Sequence, residues 1–350
     1  MALKIPMKVV CSGAGWVTRN RHLPALRSDS RVRVIGVIDR NPDRAEAVAR
    51  EFGLPHFGGS LDEPWTDEAT CLTVGTPPLA HAPLVGVALE RGWHCLCEKP
   101  FALPSGLAAQ LVDQARRSGL VLGVVHNFQF SRSGRRLFEL LESGQLGEIE
   151  AAYAFQLSNP KRRLPSWYKD LPGGLFLDES PHLLYLMRRV LGRLEPRSVD
   201  ARLAGGEIRD LGVIFEHESI WASLSMSFNA SVSEWQFLVV GSKGVAALDL
   251  FRDLLVVAPN DGQHRARDIL RTSTAMVGGH LAGVASSGTH LLRRRLLYGN
   301  DEVVHRFVYA TDGAVHRLRW MSAEDGQAVV ECIEDVLRRA GIDPTVPAAS

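Results

Sequence analysis

The chain sets short, continuous apolar runs against longer stretches in which apolar residues recur every three or four positions. Residues 8–11 form the first run, closed by the turn Gly13-Ala14-Gly15, and residues 22–26 read as a short helical stretch. Val32–Ile38 is a β-branched strand ending at Asp39, after which Asn41-Pro42 opens a helix with alanines and Val48 at helical spacing. Residues 72–74, His94–Cys97 and the run LVLGVV repeat the strand signal. HAPLVGVALERG and PSGLAAQLVDQARRSG repeat the helical one, the second with Leu107, Leu111 and Ala115 expected on one face. Strands alternating with helices of this length predict an α/β doubly wound parallel sheet of Rossmann type.

After about residue 127 the pattern changes. SRSGRRLFELLESGQLG reads as a helix closed by Gly144. Six strand-like segments follow (GEIEAAYAFQLS, VDARLA, LGVIFEHE, SIWASLSMSFNA, EWQFLVVGSKG, VAALDLF), several alternating with period two. They predict a mostly antiparallel open sheet with one exposed face, the other covered by a helix around residues 182–191. Helix is expected around residues 281–297, and SAEDGQAVVECIEDVLRRAG is an amphipathic helix stopped at Gly341. The expected domains are 1–126, dinucleotide-binding, and 127–350, an α+β domain for substrate binding and oligomerisation.

At 350 residues two domains are the ordinary expectation. A formal net charge of +1 gives no overall field for nucleic acid or an anionic membrane. No window reaches the roughly 20 apolar residues of a membrane span, and the start, MALKIPMKVVCSG, lacks a signal-peptide core. Five cysteines, odd in number and mostly in apolar runs, fit reduced thiols in a cytoplasmic protein. Cys95-x-Cys97 has no second ligand pair at matching spacing, so no metal is expected.

In a doubly wound sheet ligands collect at the carboxyl ends of the strands, and the chemistry-bearing residues lie there. Gly13-x-Gly15 follows a strand, and Asp39 ends the next one, placed to accept hydrogen bonds from the adenosine ribose. The third glycine of a G-x-G-x-x-G turn is replaced by Thr18, which should displace the following helix slightly without blocking a pyrophosphate. The cofactor-side candidates are Gly13, Gly15, Trp16, Val17, Asp39, Arg40, Thr76, Pro77, His81, Glu98, Lys99 and Asn127. Asp39 favours NAD; Arg40 beside it leaves NADP as the alternative. In GGLFLDESPHLLYL, Asp178 and His182 share a helix face if the helix begins near Asp178, with Pro181 in its first turn. Ahead of it, Lys161, Arg162, Arg163, Trp167 and Tyr168 suit a sugar ring and an anionic group, or simply a solvated basic loop.

In order, GAGWVTRNRHLPAL, VIGVIDRNPDRA, TPPLAHAPLVGVALERGWHCLCEKPFAL, NFQF, GGLFLDESPH and VVGSKG resemble the Gfo/Idh/MocA oxidoreductase family through nearly the whole chain. The resemblance implies a Rossmann domain followed by an α+β domain whose open sheet forms a homodimer or homotetramer interface. It implies Lys99, Asp178 and His182 as catalytic positions and Asn127 in the substrate-side element. Trp167 and Tyr168 join these as substrate candidates. Gln129 stands where that element usually has arginine, Ser180 where glycine is common, and Tyr185 where aspartate is frequent. The expected activity is NAD(P)-dependent hydride transfer at a hydroxyl or keto carbon of a sugar, amino sugar or cyclitol. Its rivals are transient-redox lyase or glycosidase chemistry, imine reduction, and a non-catalytic redox sensor.

Overall fold

A computed structural model describes residues 6–292 and 298–345. They divide into two compact units, one of Met1–Asn127 and Asn300–Glu331, the other of Phe128–Gly299 and Cys332–Ser350. The first unit therefore takes in a late segment, 300–331, that pattern alone assigns to the second half.

The first unit begins with β1 (Met7–Ser12), a π-type turn over Thr18–His22 and α1 (Leu23–Arg27), then β2 (Val32–Ile38) and α2 (Pro42–Phe52). β3 (His56–Gly58), β4 (Cys71–Val74), α3 (His81–Glu90), β5 (His94–Cys97), α4 (Ser105–Ser118) and β6 (Leu122–Val124) follow. The strands form one parallel sheet in the order β3-β2-β1-β4-β5-β6, the reversal of order falling between β1 and β4. Asn41 caps α2 through its side chain, which accepts from the Arg44 N–H. Val10, Leu72, Val85 and Phe101 belong to a continuous apolar core around this sheet. On α4 the buried residues are Ala108, Leu111 and Ala115, and Leu107 is 40% exposed. The expected face is thus rotated by one position, putting the smaller alanine inside. β3, three residues long with two of them exposed, carries no apolar pattern to find.

The second unit opens with α5 (Arg132–Glu142), β7 (Ile149–Leu157) and α6 (Leu175–Leu191). Next come β8 (Pro196–Ala204), β9 (Glu207–Phe215), β10 (Trp221–Ser227), β11 (Glu234–Gly241), β12 (Gly244–Asp249), β13 (Leu254–Pro259) and α7 (Ala266–Leu292). The sheet order is β13-β12-β11-β7-β10-β9-β8, antiparallel except for the β7–β10 pair. β11 shows the one-sided pattern plainly, with Trp235, Phe237 and Val239 buried in alternation. α6 packs on β7 and β9, and α7 on β13, a strand the pattern reading did not include. α7 begins well before residue 281, and residues 293–297 of the expected helix lie outside the described residues. α8 (Asn300–Thr311) belongs to the first unit, and α9 (Ala323–Arg339) contributes to both. Among the described residues no helix is long and apolar enough to cross a membrane.

Candidate functional site

The first unit builds its strand-end turns from main chain. Gly13 has φ +89°, and a Cβ there would lie 2.8 Å from the Gly75 carbonyl oxygen, so conformation and close approach both demand glycine. Its N–H donates to the Ile38 carbonyl at 2.8 Å. A Cβ on Gly15 would meet nothing within 4 Å, so open space lies in front of the turn. Asp39 ties the turn to the end of β2: its Oδ2 accepts from the Ala14 N–H at 2.8 Å and its Oδ1 from the Asn41 N–H at 2.9 Å. A carboxylate has about four acceptor sites, so capacity for ribose hydroxyls remains. Arg44 lies 3.8 Å from Asp39, and Arg40 is exposed. Trp16 is 47% exposed beneath the Arg21 guanidinium, 4.8 Å from its ring centre.

Thr18 is fully buried, and a Cβ on Gly75 would come within 2.5 Å of its Oγ1. The tight spot has moved from position 18 to position 75, and the chain passes Thr18 in the wider π-type turn before tightening into α1. Thr18 Oγ1, Thr73 Oγ1, Thr76 Oγ1 and His22 Nδ1 are buried without hydrogen-bond partners among the described residues. Open space before a glycine turn, an acidic strand end and this set of orphaned polar atoms fit a dinucleotide.

After β5 the side chains lock the next turn. His22 Nε2 lies 2.9 Å from Glu98 Oε1, both groups buried, and Glu98 Oε2 accepts from the Lys99 N–H at 3.2 Å. Burial pushes the Glu98 carboxyl up, but the His22 hydrogen bond and the charges of His22, Lys99 and His81 hold it below the ordinary range. His81 is fully buried, with Nδ1 at 2.7 Å from the Pro100 carbonyl and Nε2 at 2.9 Å from the Thr76 carbonyl. Its ring cross-links the turns after β4 and β5, while burial pushes its pKa down. Val17 and Thr76 are partly buried, Pro77 is exposed and Asn127 is buried. The thiols of Cys95 and Cys97 are buried in β5 and pushed up by burial, as suits packing groups.

The second unit builds its site from side chains on α6. The helix starts at Leu175 after two positive-φ glycines, Gly173 and Gly174, so Pro181 sits in its interior and not in its first turn. Having no N–H, Pro181 leaves the Leu177 carbonyl without its intrahelical donor. Asp178 and His182, four apart, still share a face, and both are buried. Glu179 between them is also buried; its carboxylate accepts from Gln156, from Ser158 and, at its other oxygen, from Arg162. Arg162 thereby anchors the basic loop to the helix, which its position in a run of solvated residues did not suggest.

The ring of His182 is surrounded by aromatic groups, two from distant parts of the chain and one from the next turn of its own helix. Phe128 stands edge-on at 4.9 Å between centroids, Trp235 at 5.3 Å and Tyr185 at 5.9 Å. Tyr185 Oη lies 3.2 Å from His182 Nδ1 and accepts from the Phe128 N–H at 2.9 Å. The Trp235 indole N–H, itself buried, has no hydrogen-bond partner among the described residues. Trp167 and Tyr168 are half-buried on a 3-10 turn, Ser166–Asp170. Sequence reasoning missed Phe128, Trp235 and Glu179. The period of β11 marks Trp235 as inward, but no local signal says which side chain it meets.

The sequence model of an oxidoreductase family with an NAD-binding Rossmann fold matches residues 7–126, and that of the GFO/IDH/MocA C-terminal domain matches residues 135–247. One curated relative is the dTDP-3,4-didehydro-2,6-dideoxy-alpha-D-glucose 3-reductase of Streptomyces violaceoruber, 26% identical over 61% of this chain and 59% of its own. Another is the D-glucoside 3-dehydrogenase of Escherichia coli K12, 30% identical over 56% of this chain and 57% of its own. The match thus spans less than two thirds of either relative. The crystal structure of GenD2 from gentamicin A biosynthesis, in complex with NAD, has the same fold: TM-score 0.76, 21% identity, covering 96% of this chain and 94% of that one. With both of its domains matched in order, the chain belongs to the Gfo/Idh/MocA oxidoreductase family, and its first unit is that family's NAD-binding Rossmann domain.

Proposed function

We propose that the protein is an NAD(P)-dependent oxidoreductase acting between a hydroxyl and a keto group on a sugar, with carbon 3 of a hexopyranose as the first position to test. The observation that carries this reading is the buried Asp178–His182 face of α6, a titratable ring held in an apolar surround with a carboxylate one turn away. Two relatives named for chemistry at position 3 of a sugar support the choice of carbon. The bound nicotinamide supplies or accepts the hydride. This chain's part is to manage the proton at the sugar oxygen: His182 as acid/base, Asp178 orienting the imidazole, and Lys99 stabilising negative charge on that oxygen. Asp39 gives the preference for NAD over NADP. The outer face of the open sheet, where Tyr153 and Trp221 are exposed, is the surface for a second copy.

The test is NADH absorbance during turnover on a panel of hexopyranosides, nucleotide-linked hexoses and their 3-keto forms. Net change in absorbance with a 3-keto or 3-hydroxy sugar supports the reading. Product without net change would replace it with transient-redox elimination or glycoside cleavage.

A further inference from the structure

Behind His182 stands a hydroxyl whose hydrogen-bonding role the geometry decides. Tyr185 is 3% exposed, and its Oη receives the Phe128 N–H at 2.9 Å while lying 3.2 Å from His182 Nδ1. An oxygen that accepts one hydrogen bond becomes a better donor and a poorer second acceptor. The phenolic proton is therefore directed at Nδ1. A neutral imidazole carries a single proton, so one nitrogen accepting from a hydroxyl leaves the proton on the other.

We propose that Tyr185 is a positioning residue that holds neutral His182 as the Nε2–H tautomer and replaces its proton during turnover. In the reducing direction the ketone carbon takes the hydride and its oxygen becomes an alkoxide. The Nε2 proton passes to that oxygen as the phenolic proton passes to Nδ1. The ring ends neutral, protonated at Nδ1, and the negative charge rests on Tyr185 Oη, held by the Phe128 N–H and by the new N–H at Nδ1. The Nδ1 proton then returns to the phenolate oxygen as a proton from solvent reaches Nε2, which restores both the phenol and the Nε2–H tautomer, and oxidation runs the same steps backward. A carboxylate at this position could only accept; the phenol can also give, which is what a neutral ring requires of its neighbour.

The groups around the ring fit this role. On α6, Asp178 lies one turn before it and Glu179 is occupied by Gln156, Ser158 and Arg162. The 3-10 turn Phe128–Phe130 contributes Phe128 and β11 contributes Trp235, neither of which titrates. In this unit the titratable groups on the ring's own helix face are thus Asp178 and Tyr185.

The proposal rests on the acid/base reading of His182, and its first test is independent of turnover. Nitrogen-15 spectra of the histidine-labelled protein, with His182 assigned by difference against His182→Asn, should show neutral His182 protonated at Nε2 and bare at Nδ1. The opposite tautomer would overturn the proposal even if the sugar chemistry stands. In Tyr185→Phe the tautomer preference should weaken and kcat should fall about a hundredfold with KM within about twofold. The alkaline limb of the rate profile should also disappear or move. An unaltered rate and pH profile in that variant would equally overturn it. If no sugar is turned over by the wild type, the spectra still decide the tautomer, so the two failures remain distinct.

Discussion

In the first unit the groups proposed to face a dinucleotide are placed by the main chain, through glycines, strand ends and carbonyls bridged by His81. In the second unit the groups around His182 are placed by side chains drawn from α6, β11 and the turn at Phe128. The first arrangement depends on the glycines staying small, and buried side chains such as the His22–Glu98 pair lock its turns. The second is assembled over long sequence separations, and each member holds another. A backbone cradle should therefore fail by geometry, and a side-chain cluster by chemistry.

The sharpest way to break this contrast is His182→Ala. Turnover should drop by about a hundredfold to ten-thousandfold, while NADH affinity, measured by fluorescence titration, stays within about twofold. Parallel loss of cofactor binding would mean that the division of labour is wrong. Gly13→Ala attacks the other region, adding a Cβ 2.8 Å from the Gly75 oxygen at φ +89°. NADH affinity should fall by about a hundredfold, roughly 2.7 kcal/mol.

Arg162→Ala should lower the stability of the second unit by about 3 kcal/mol, because it removes an ion-pair partner of the buried Glu179 carboxylate. Denaturant unfolding measures this, and Arg162→Lys should recover part of it. Asp39→Ala should narrow the NADH-over-NADPH preference by about tenfold or less (roughly 1.4 kcal/mol), read from paired titrations. Part of that effect will come from the Ala14 N–H, which the same carboxylate holds.

The smallest expected effect concerns pH. Glu98 titrates below its ordinary value of 4.5 in the folded protein, so its contribution to stability is complete above about 4.5 and is lost as pH falls through the lower folded value. Glu98→Gln should flatten the acid side of the stability profile and lower the plateau above neutral without changing its slope. A steep acid limb that survives the substitution would assign it to other carboxylates.

How much of this was legible in the sequence follows the same division. Val32–Ile38 is predicted with its observed bounds because its β-branched residues lead into a buried end, residues 35–38, that stops at a polar turn. Gly13, Gly15 and Asp39 are readable because their spacing is itself the geometry. The start of α6 is displaced from its expected place because two positive-φ glycines, and not a side-chain cap, begin it. Phe128, Trp235 and Tyr185 are ordinary core aromatics in any window of sequence. Helix spacing puts Tyr185 beside His182, but only the tertiary fold brings Phe128 and Trp235 to the same ring. The return of residues 300–331 to the first unit is likewise invisible to periodicity, which carries no information about partners.

The contact between Thr18 and Gly75 reaches beyond this one chain. Two positions far apart in sequence share one small volume, and only one of them can spend it on a side chain. Among related sequences the pair should trade bulk, with glycine at position 18 permitting a larger residue at 75 and threonine at 18 excluding it. A search keyed to three glycines in a row would pass over chains of this kind, whereas one keyed to the sum of the two volumes would retain them.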